Sequence, residues 1–276
     1  MRGARLFIGL FGAILLISGC GAGGSGDVRS PSSSPSPVPT APASAAAAPG
    51  VTIRYEGNAQ VELSLNGGAR VLIDVYDPSA LSAPPTSDDI LLTTHTHDDH
   101  LSPDFRGSFP GRQLFVREGA IETPDAVITS MAAAHNEGDP LLPKNGTDYI
   151  FVIDIGGLRI AHFGDLGQTA LTAGQLEKLG DVDIAVTQFE NSFSHMDAIN
   201  QKGFRLMEQV KPRLIIQTHT SPAAVQYAAT LWRVLFSGRS AVTIAAPDLP
   251  AETSLLLLGD DAAFYAGLVP AEKVDW

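Results

Sequence analysis

Between Ile90 and Leu101 the chain reads I-L-L-T-T-H-T-H-D-D-H-L, and three of the protein's seven histidines, His95, His97 and His100, fall in this stretch, interleaved with Asp98 and Asp99. His95 and His97 lie two apart, so in extended backbone both side chains leave on the same side and reach toward a common point. Asp99 and His100 join them only if the chain turns. Ile90 to Thr94 is apolar and β-branched, the mark of a buried strand. Three imidazoles and two carboxylates at the end of such a strand are costly unless something balances them. A divalent cation does so directly, and histidine with aspartate at this spacing is a metal-ligand set. The alternative is a polar loop with adventitious metal affinity, which predicts no further ligands downstream.

Further candidates do follow, each at the end of a probable strand. His135 follows Val127 to Ala134, His162 and Asp165 follow Phe151 to Ala161, and His219 follows Pro212 to Thr218. A rigid sheet that positions a site through its terminal loops produces this pattern.

On these residues the chain resembles the hydrolases of the metallo-β-lactamase fold. The His-x-His-x-Asp-His pattern is met by His95, His97, Asp99 and His100, the following lone histidine by His135, the bridging aspartate by Asp165 in H-F-G-D, and the last histidine by His219. The short spacing, the H-F-G-D segment and the Q-T-H-T ending are most similar to the branch that includes the ascorbate-6-phosphate lactonases. The resemblance covers Val51 to about Ala246 and implies an α/β fold, a four-layer αββα sandwich. It also implies two divalent cations, with His95, His97 and His135 on one, Asp99, His100 and His219 on the other, and Asp165 as the bridge. Zinc suits such ligands first, and manganese or iron also fits an all-nitrogen-and-oxygen set.

The implied chemistry is hydrolysis of a small ester, lactone or phosphodiester by a metal-bridging hydroxide. No serine or cysteine triad is then required, and Asp99 is a candidate for managing a proton after attack. A β-lactam is a poorer fit, because the zinc β-lactamases commonly place a cysteine in their second metal site and the only cysteine here is Cys20. The competing function is a non-catalytic metal- or ligand-binding lipoprotein on a hydrolase scaffold. It draws on the absence of an obvious cationic substrate clamp and on Gly57, Asn58 and Ala59, where the resembled branch commonly has Gly-His.

Three residues beside this set have two readings each. His162 either orients Asp165 or substrate, or is a packed strand-end histidine. His195, in F-E-N-S-F-S-H-M, is a third catalytic candidate beside Asp99 and Asp165. With Asn191, Ser192 and Ser194 it can offer donors to a bound carboxylate or phosphate, while Ser194 or Asp197 is equally suited to capping the next helix. Asp74 closes a strand in V-L-I-D, and a supporting or turn role is favoured over a metal contact.

Residues 1–19 carry Arg2 and Arg5, then an apolar core too short for an ordinary membrane span, which is the pattern of a signal peptide. I-S-G-C at residues 17–20 resembles the bacterial lipoprotein cleavage box, which implies lipidation of Cys20. The Ser/Pro/Ala-rich segment through Gly50 cannot bury a core and reads as a disordered linker, so residues 20–50 form a lipidated tether and 51–276 the metallo-hydrolase domain. The expected location is therefore the bacterial cell envelope, outside the cytoplasmic membrane, with acyl groups holding the protein to lipid. The formal charge is −12, and loss of Arg2 and Arg5 with the signal takes it to −14. Such acidity without a basic patch argues against nucleic acid as a partner and for a small-molecule substrate. Nothing in the sequence fixes the oligomeric state.

Periodicity places strands at 51–55, 60–65 and 70–75 as an antiparallel meander with a turn at Asn66, Gly67 and Gly68. It places a Gly156–Gly157 hairpin between two further strands. Helices are expected over 197–210, with Ile199 on the apolar side and Met207 as core filler, and over 223–236, with Trp232 packed inward. The chain divides into two βα halves near Tyr149 on this reading.

Overall fold

The computed structural model describes residues 49–65 and 68–276. The expected signal peptide, Cys20 and nearly all of the linker lie outside the described residues, as do Asn66 and Gly67 of the expected turn. No helix among the described residues is long and apolar enough to cross a membrane.

The strands β1 (Val51–Tyr55), β2 (Val61–Leu65) and β3 (Arg70–Ile73) form the antiparallel meander, with Val51 opposite Leu65 and Val61 opposite Ile73. β4 (Ile90–Thr93) runs parallel to β3, and after helix α1 (Pro103–Ser108) β5 (Arg112–Phe115) runs parallel to β4. A second sheet begins with the antiparallel run β6 (Gly119–Glu122), β7 (Ala126–Ala133), β8 (Asp148–Ile155) and β9 (Leu158–His162). Helix α2 (Ala173–Leu179), β10 (Ile184–Thr187), α3 (Lys202–Val210) and β11 (Leu214–Gln217) extend it through parallel strands. After α4 (Pro222–Leu231) and β12 (Arg233–Phe236), β13 (Ala241–Ile244) crosses back to pair with β1, and β14 (Ser254–Leu257), α5 (Ala262–Ala266) and β15 (Ala271–Lys273) complete the second sheet.

The strand orders are therefore β13-β1-β2-β3-β4-β5 and β15-β12-β14-β11-β10-β9-β8-β7-β6. Alternation along each strand assigns its residues to layers. Tyr149, Phe151 and Ile153 of β8, Ile184 and Val186 of β10, and Ile90 and Leu92 of β4 share one core between the sheets. Ile150, Val152 and Ala185 face the other way and pack with Leu179, Phe204 and Val225 of the helices. On the outer face of the first sheet, Leu72 and Leu91 meet Phe109 and the partly buried Phe105 of α1. The result is the expected αββα order, with an outer layer on the first sheet reduced to little more than one short helix.

Several sequence expectations need correction. The boundary between sheets falls between Phe115 and Gly119 rather than near Tyr149, and β13 returns to the first sheet late in the chain. Helix α3 starts at Lys202, not Asp197, because Asp197 Oδ1 accepts the backbone N–H groups of Ile199 and Asn200 and folds that segment into a turn. Ile199 is consequently 91 % exposed instead of facing the core. Helix α4 ends at Leu231, and residues 233–236 become β12, since two of its apolar residues, Val234 and Leu235, fill an inner position of a parallel sheet. Trp232 still packs inward, against Phe189 and Phe204, and Met207 is buried.

Candidate metal centre

β7 and β9 both run antiparallel to β8 and so point the same way, and β11 is parallel to β9 through β10. Their carboxyl ends deliver His135, Asp165 and His219 to one edge, and the end of β4 in the other sheet delivers His95 and His97 to the same place. A turn closed by His100 N–H to His97 C=O at 3.0 Å then swings Asp99 and His100 around. Two groups result: His95, His97, His135 and Asp165, and Asp99, His100 and His219, with ligand atoms within 4.8 Å of one another in each.

Asp165 faces both. Its Oδ2 lies 3.7 Å from His95 Nε2 and 3.6 Å from His135 Nε2, while Oδ1 lies 3.3 Å from His100 Nε2 and 3.4 Å from His219 Nε2. His95 Nε2, His135 Nε2 and Asp165 Oδ1 are buried without a hydrogen-bond partner. Buried polar atoms are rarely left so, and these converge with only nitrogen and oxygen donors, so the residues fit divalent cations of the zinc, manganese or iron kind.

These candidate ligands are held from behind. Asp74, fully buried with φ 50, accepts Thr94 N–H at 2.8 Å on Oδ1, and on Oδ2 it accepts the Thr94 hydroxyl at 2.7 Å and faces His100 Nδ1 at 2.9 Å. The Thr94 hydroxyl in turn lies 3.0 Å from His95 Nδ1. The Asn136 amide lies 3.2 Å from His135 Nδ1, and Asn191 Nδ2 donates to Asp165 Oδ2 at 2.6 Å. Asn191, a candidate substrate donor from sequence, is thus occupied with Asp165. Glycine at 164 is obligatory, because its φ is +53 and a Cβ there would collide with Asp148 Oδ1 and Thr94.

The electrostatics follow this geometry. Burial lowers His95 to about 4, with His100 adding to the effect. Burial also acts to lower His100, but Asp74 and then Asp165 more than offset it and raise it to about 11. Burial opposes ionisation of Asp165, and the close imidazoles of His100 and His135 nevertheless hold it well below the usual carboxylate range. His162 is a packed histidine: it is fully buried, Nε2 donates to Ala59 C=O at 3.1 Å and Nδ1 accepts Gly164 N–H at 3.2 Å, so both ring nitrogens are occupied by backbone.

His195 is exposed, with φ 51, and among the described residues its side chain makes no hydrogen bond. Its loop instead places Phe193 with its ring 6.0 Å from that of His97. Sequence reasoning missed Asp148. Asp148 is the first residue of β8, is fully buried with both carboxylate oxygens unpartnered, and has Oδ1 3.5 Å from His95 Nδ1. Burial first, then Asp165, push its carboxyl well above the usual range. An acid at the start of a strand whose next five residues, Tyr149 to Ile153, are all apolar was the available signal.

Comparison with known proteins agrees with this arrangement. Residues 52–219 match the beta-lactamase superfamily domain. A UPF0173 metal-dependent hydrolase from Symbiobacterium thermophilum is 26 % identical over 207 residues, spanning 64 % of this chain and 88 % of that protein. A Thermotoga maritima structure assigned to the zinc-dependent hydrolases of the metallo-beta-lactamase superfamily superposes with a TM-score of 0.56 at 19 % identity, covering 75 % of this chain and 98 % of that one. The metallo-beta-lactamase fold protein YhfI from Bacillus subtilis gives 0.51 at 10 % identity, over 76 % and 97 % of the two chains. The family match spans more than half of the chain and every converging residue from His95 to His219, and the chain accordingly belongs to the beta-lactamase superfamily.

Proposed function

We propose that the domain holds two divalent cations, zinc in the first instance, and hydrolyses a small ester, lactone or phosphodiester. The observation that carries this reading is the Asp165 carboxylate, whose two oxygens face separate histidine groups from the middle of the site. When bound, the cations supply Lewis-acid polarisation of a substrate oxygen and a water acidic enough to attack at neutral pH.

The chain's own residues supply positioning and proton handling. Asp74, directly and through Thr94, engages Nδ1 of His100 and His95, so that Nε2 of each presents its lone pair inward. Asn191 limits rotation of Asp165. The Asp99 side chain is 43 % exposed against 2 % for Asp165, so Asp99 is the carboxylate suited to pass a proton between the site and bulk water. His195, on the loop that carries Phe193 to His97, is assigned contact with the distal part of the substrate. The likeness of the motifs to the ascorbate-6-phosphate lactonase branch supports a lactone among the candidate substrates.

Metal analysis of the purified chain, followed by assays of matched esters, lactones and phosphodiesters after zinc or manganese loading, tests the proposal. Fewer than one tightly bound cation per chain together with no turnover of any class would overturn it. We also propose export under the signal at 1–19 and anchoring through lipidated Cys20, with residues 20–50 as tether. Cys20→Ser is expected to change processing and membrane retention, and unmodified Cys20 in a soluble native protein, read by mass spectrometry and fractionation, refutes anchoring.

A further inference from the structure

On the His219 side of the metal centre a cavity of about 610 Å³ opens, with His219 in its wall. That is the size of a small-molecule pocket. Its charge is one-sided. Glu56, Glu190, Asp260 and Asp261 line it, against a single cation, Arg54, and Arg54 Nε is already bonded to Glu56 Oε1 at 2.9 Å. Asn58, at φ 45 in the same wall, contributes a neutral amide.

Three of the protein's five tyrosines, Tyr55, Tyr76 and Tyr265, also line the cavity. The phenols of Tyr76 and Tyr265 are raised above their ordinary range, by burial first and then by carboxylates, Asp77 and Glu56 around Tyr76 and Asp261 beside Tyr265. A separate observation marks the wall as built for a ligand. Thr218, next to His219, is 2 % exposed, and its Oγ1 has no hydrogen-bond partner among the described residues. A buried hydroxyl in that state is destabilising until something offers it a polar atom, which the N–H of an alkylammonium group does and a trimethylammonium group does not.

Carboxylates repel phosphate and carboxylate groups, whereas aromatic faces with nearby carboxylates attract organic cations. We propose, building on the hydrolase reading above, that this cavity receives the ammonium end of the substrate, an alkylammonium or trimethylammonium group carried by the ester or lactone whose scissile bond lies at the metal centre. Such a site selects against substrates that bear phosphate or carboxylate at that end.

The test uses the metal-loaded full chain and three acyl esters of matched size: a choline ester, its uncharged 3,3-dimethylbutyl isostere and a carboxylate-bearing analogue. The choline ester is expected to exceed the isostere in kcat/KM by roughly tenfold, with the anionic ester lowest. The double variant Asp260→Asn, Asp261→Asn alters two exposed side chains and should bring that ratio down toward one, with melting temperature and metal content verifying its fold. Calorimetric titration with butyltrimethylammonium reads the cavity without any chemistry, and the same variant should weaken that binding. Turnover of all three esters with no charge preference, or a preference for the anionic one, overturns the cavity assignment and leaves the hydrolase reading standing. Ammonium binding that the variant weakens, with no ester, lactone or phosphodiester turned over, supports the cavity and overturns the reaction.

Discussion

Replacing Asp74 by asparagine preserves size and shape, and asparagine tolerates the left-handed backbone at φ 50. What changes is the second oxygen. In the native site Oδ2 accepts the Thr94 hydroxyl at 2.7 Å and faces His100 Nδ1 at 2.9 Å. An amide NH₂ in that place offers no acceptor, so His100 must accept at Nδ1 and carry its proton on Nε2, the atom 3.3 Å from Asp165 Oδ1. The Thr94 hydroxyl must likewise turn its proton toward His95 Nδ1, 3.0 Å away, which moves the His95 proton to Nε2. The opposite amide rotamer only shifts the conflict to Thr94 N–H, bonded to Oδ1 at 2.8 Å. One substitution thus blocks a ligand atom in each group. Loss of such an outer partner weakens metal binding by about 10- to 100-fold, or roughly 1.4 to 2.8 kcal/mol at each position. Competition titration with a chromophoric chelator reads both affinities. Asn136→Ala, which touches only His135 at 3.2 Å, is the control and should weaken one position. Native affinity at both positions in Asp74→Asn would refute the idea that this carboxylate sets the histidine tautomers.

Asp165→Asn is expected to cost far more kcat/KM than His195→Ala, because it removes charge facing both groups while His195 stands exposed; retained metal content and near-native turnover in Asp165→Asn would exclude its shared role. Chelation should lower the melting temperature by about 8 to 16 °C, from roughly 4 kcal/mol of linkage at a thousandfold excess over Kd and a few degrees per kcal/mol for a domain of this size, and scanning calorimetry with and without metal checks it. Burial opposes ionisation of Asp89, but Arg70, bonded to it at 2.7 Å, holds its carboxyl below the ordinary range. Its stabilising contribution is therefore complete above the unfolded value near ~4 and is lost as pH falls through the lower folded value. Asp89→Asn should cost roughly 1.5 to 3 kcal/mol at neutral pH, with the deficit shrinking toward pH 3 in urea melts, because it removes the closer of the two carboxylates that face the buried Arg70 and leaves only Glu62, at 3.6 Å.

How much of this was legible in the sequence depends on how local the determinants are. The converging residues could be read because each lies within a few residues of the end of an apolar strand, and the layers because β4, β8, β10 and β11 alternate cleanly between the inner and outer cores. The helix starting at Lys202 was misplaced because an aspartate at 197 suits a turn as well as a helix cap, and β12 was taken into α4 because Val234 and Leu235 continue the apolar pattern of the helix. Periodicity over four residues cannot separate a buried strand from one more helical turn.

The supporting contacts were less legible for a different reason. Asp74 meets His100 across 26 residues of sequence, Asn191 meets Asp165 across 26, and Asp148 stands against His95 only because β8 and β4 lie in facing sheets. The cavity wall is more distributed still, joining Tyr55 and Glu56 at the end of β1, Glu190 beyond β10, and Asp261 with Tyr265 at α5. No local pattern of spacing brings those segments together. A reaction class can therefore be carried by a short motif, while the preference for one substrate over another resides in residues whose proximity exists only in the fold. It follows that the charge of the wall beside His219, rather than the ligand set, is the property to vary when the substrate is sought.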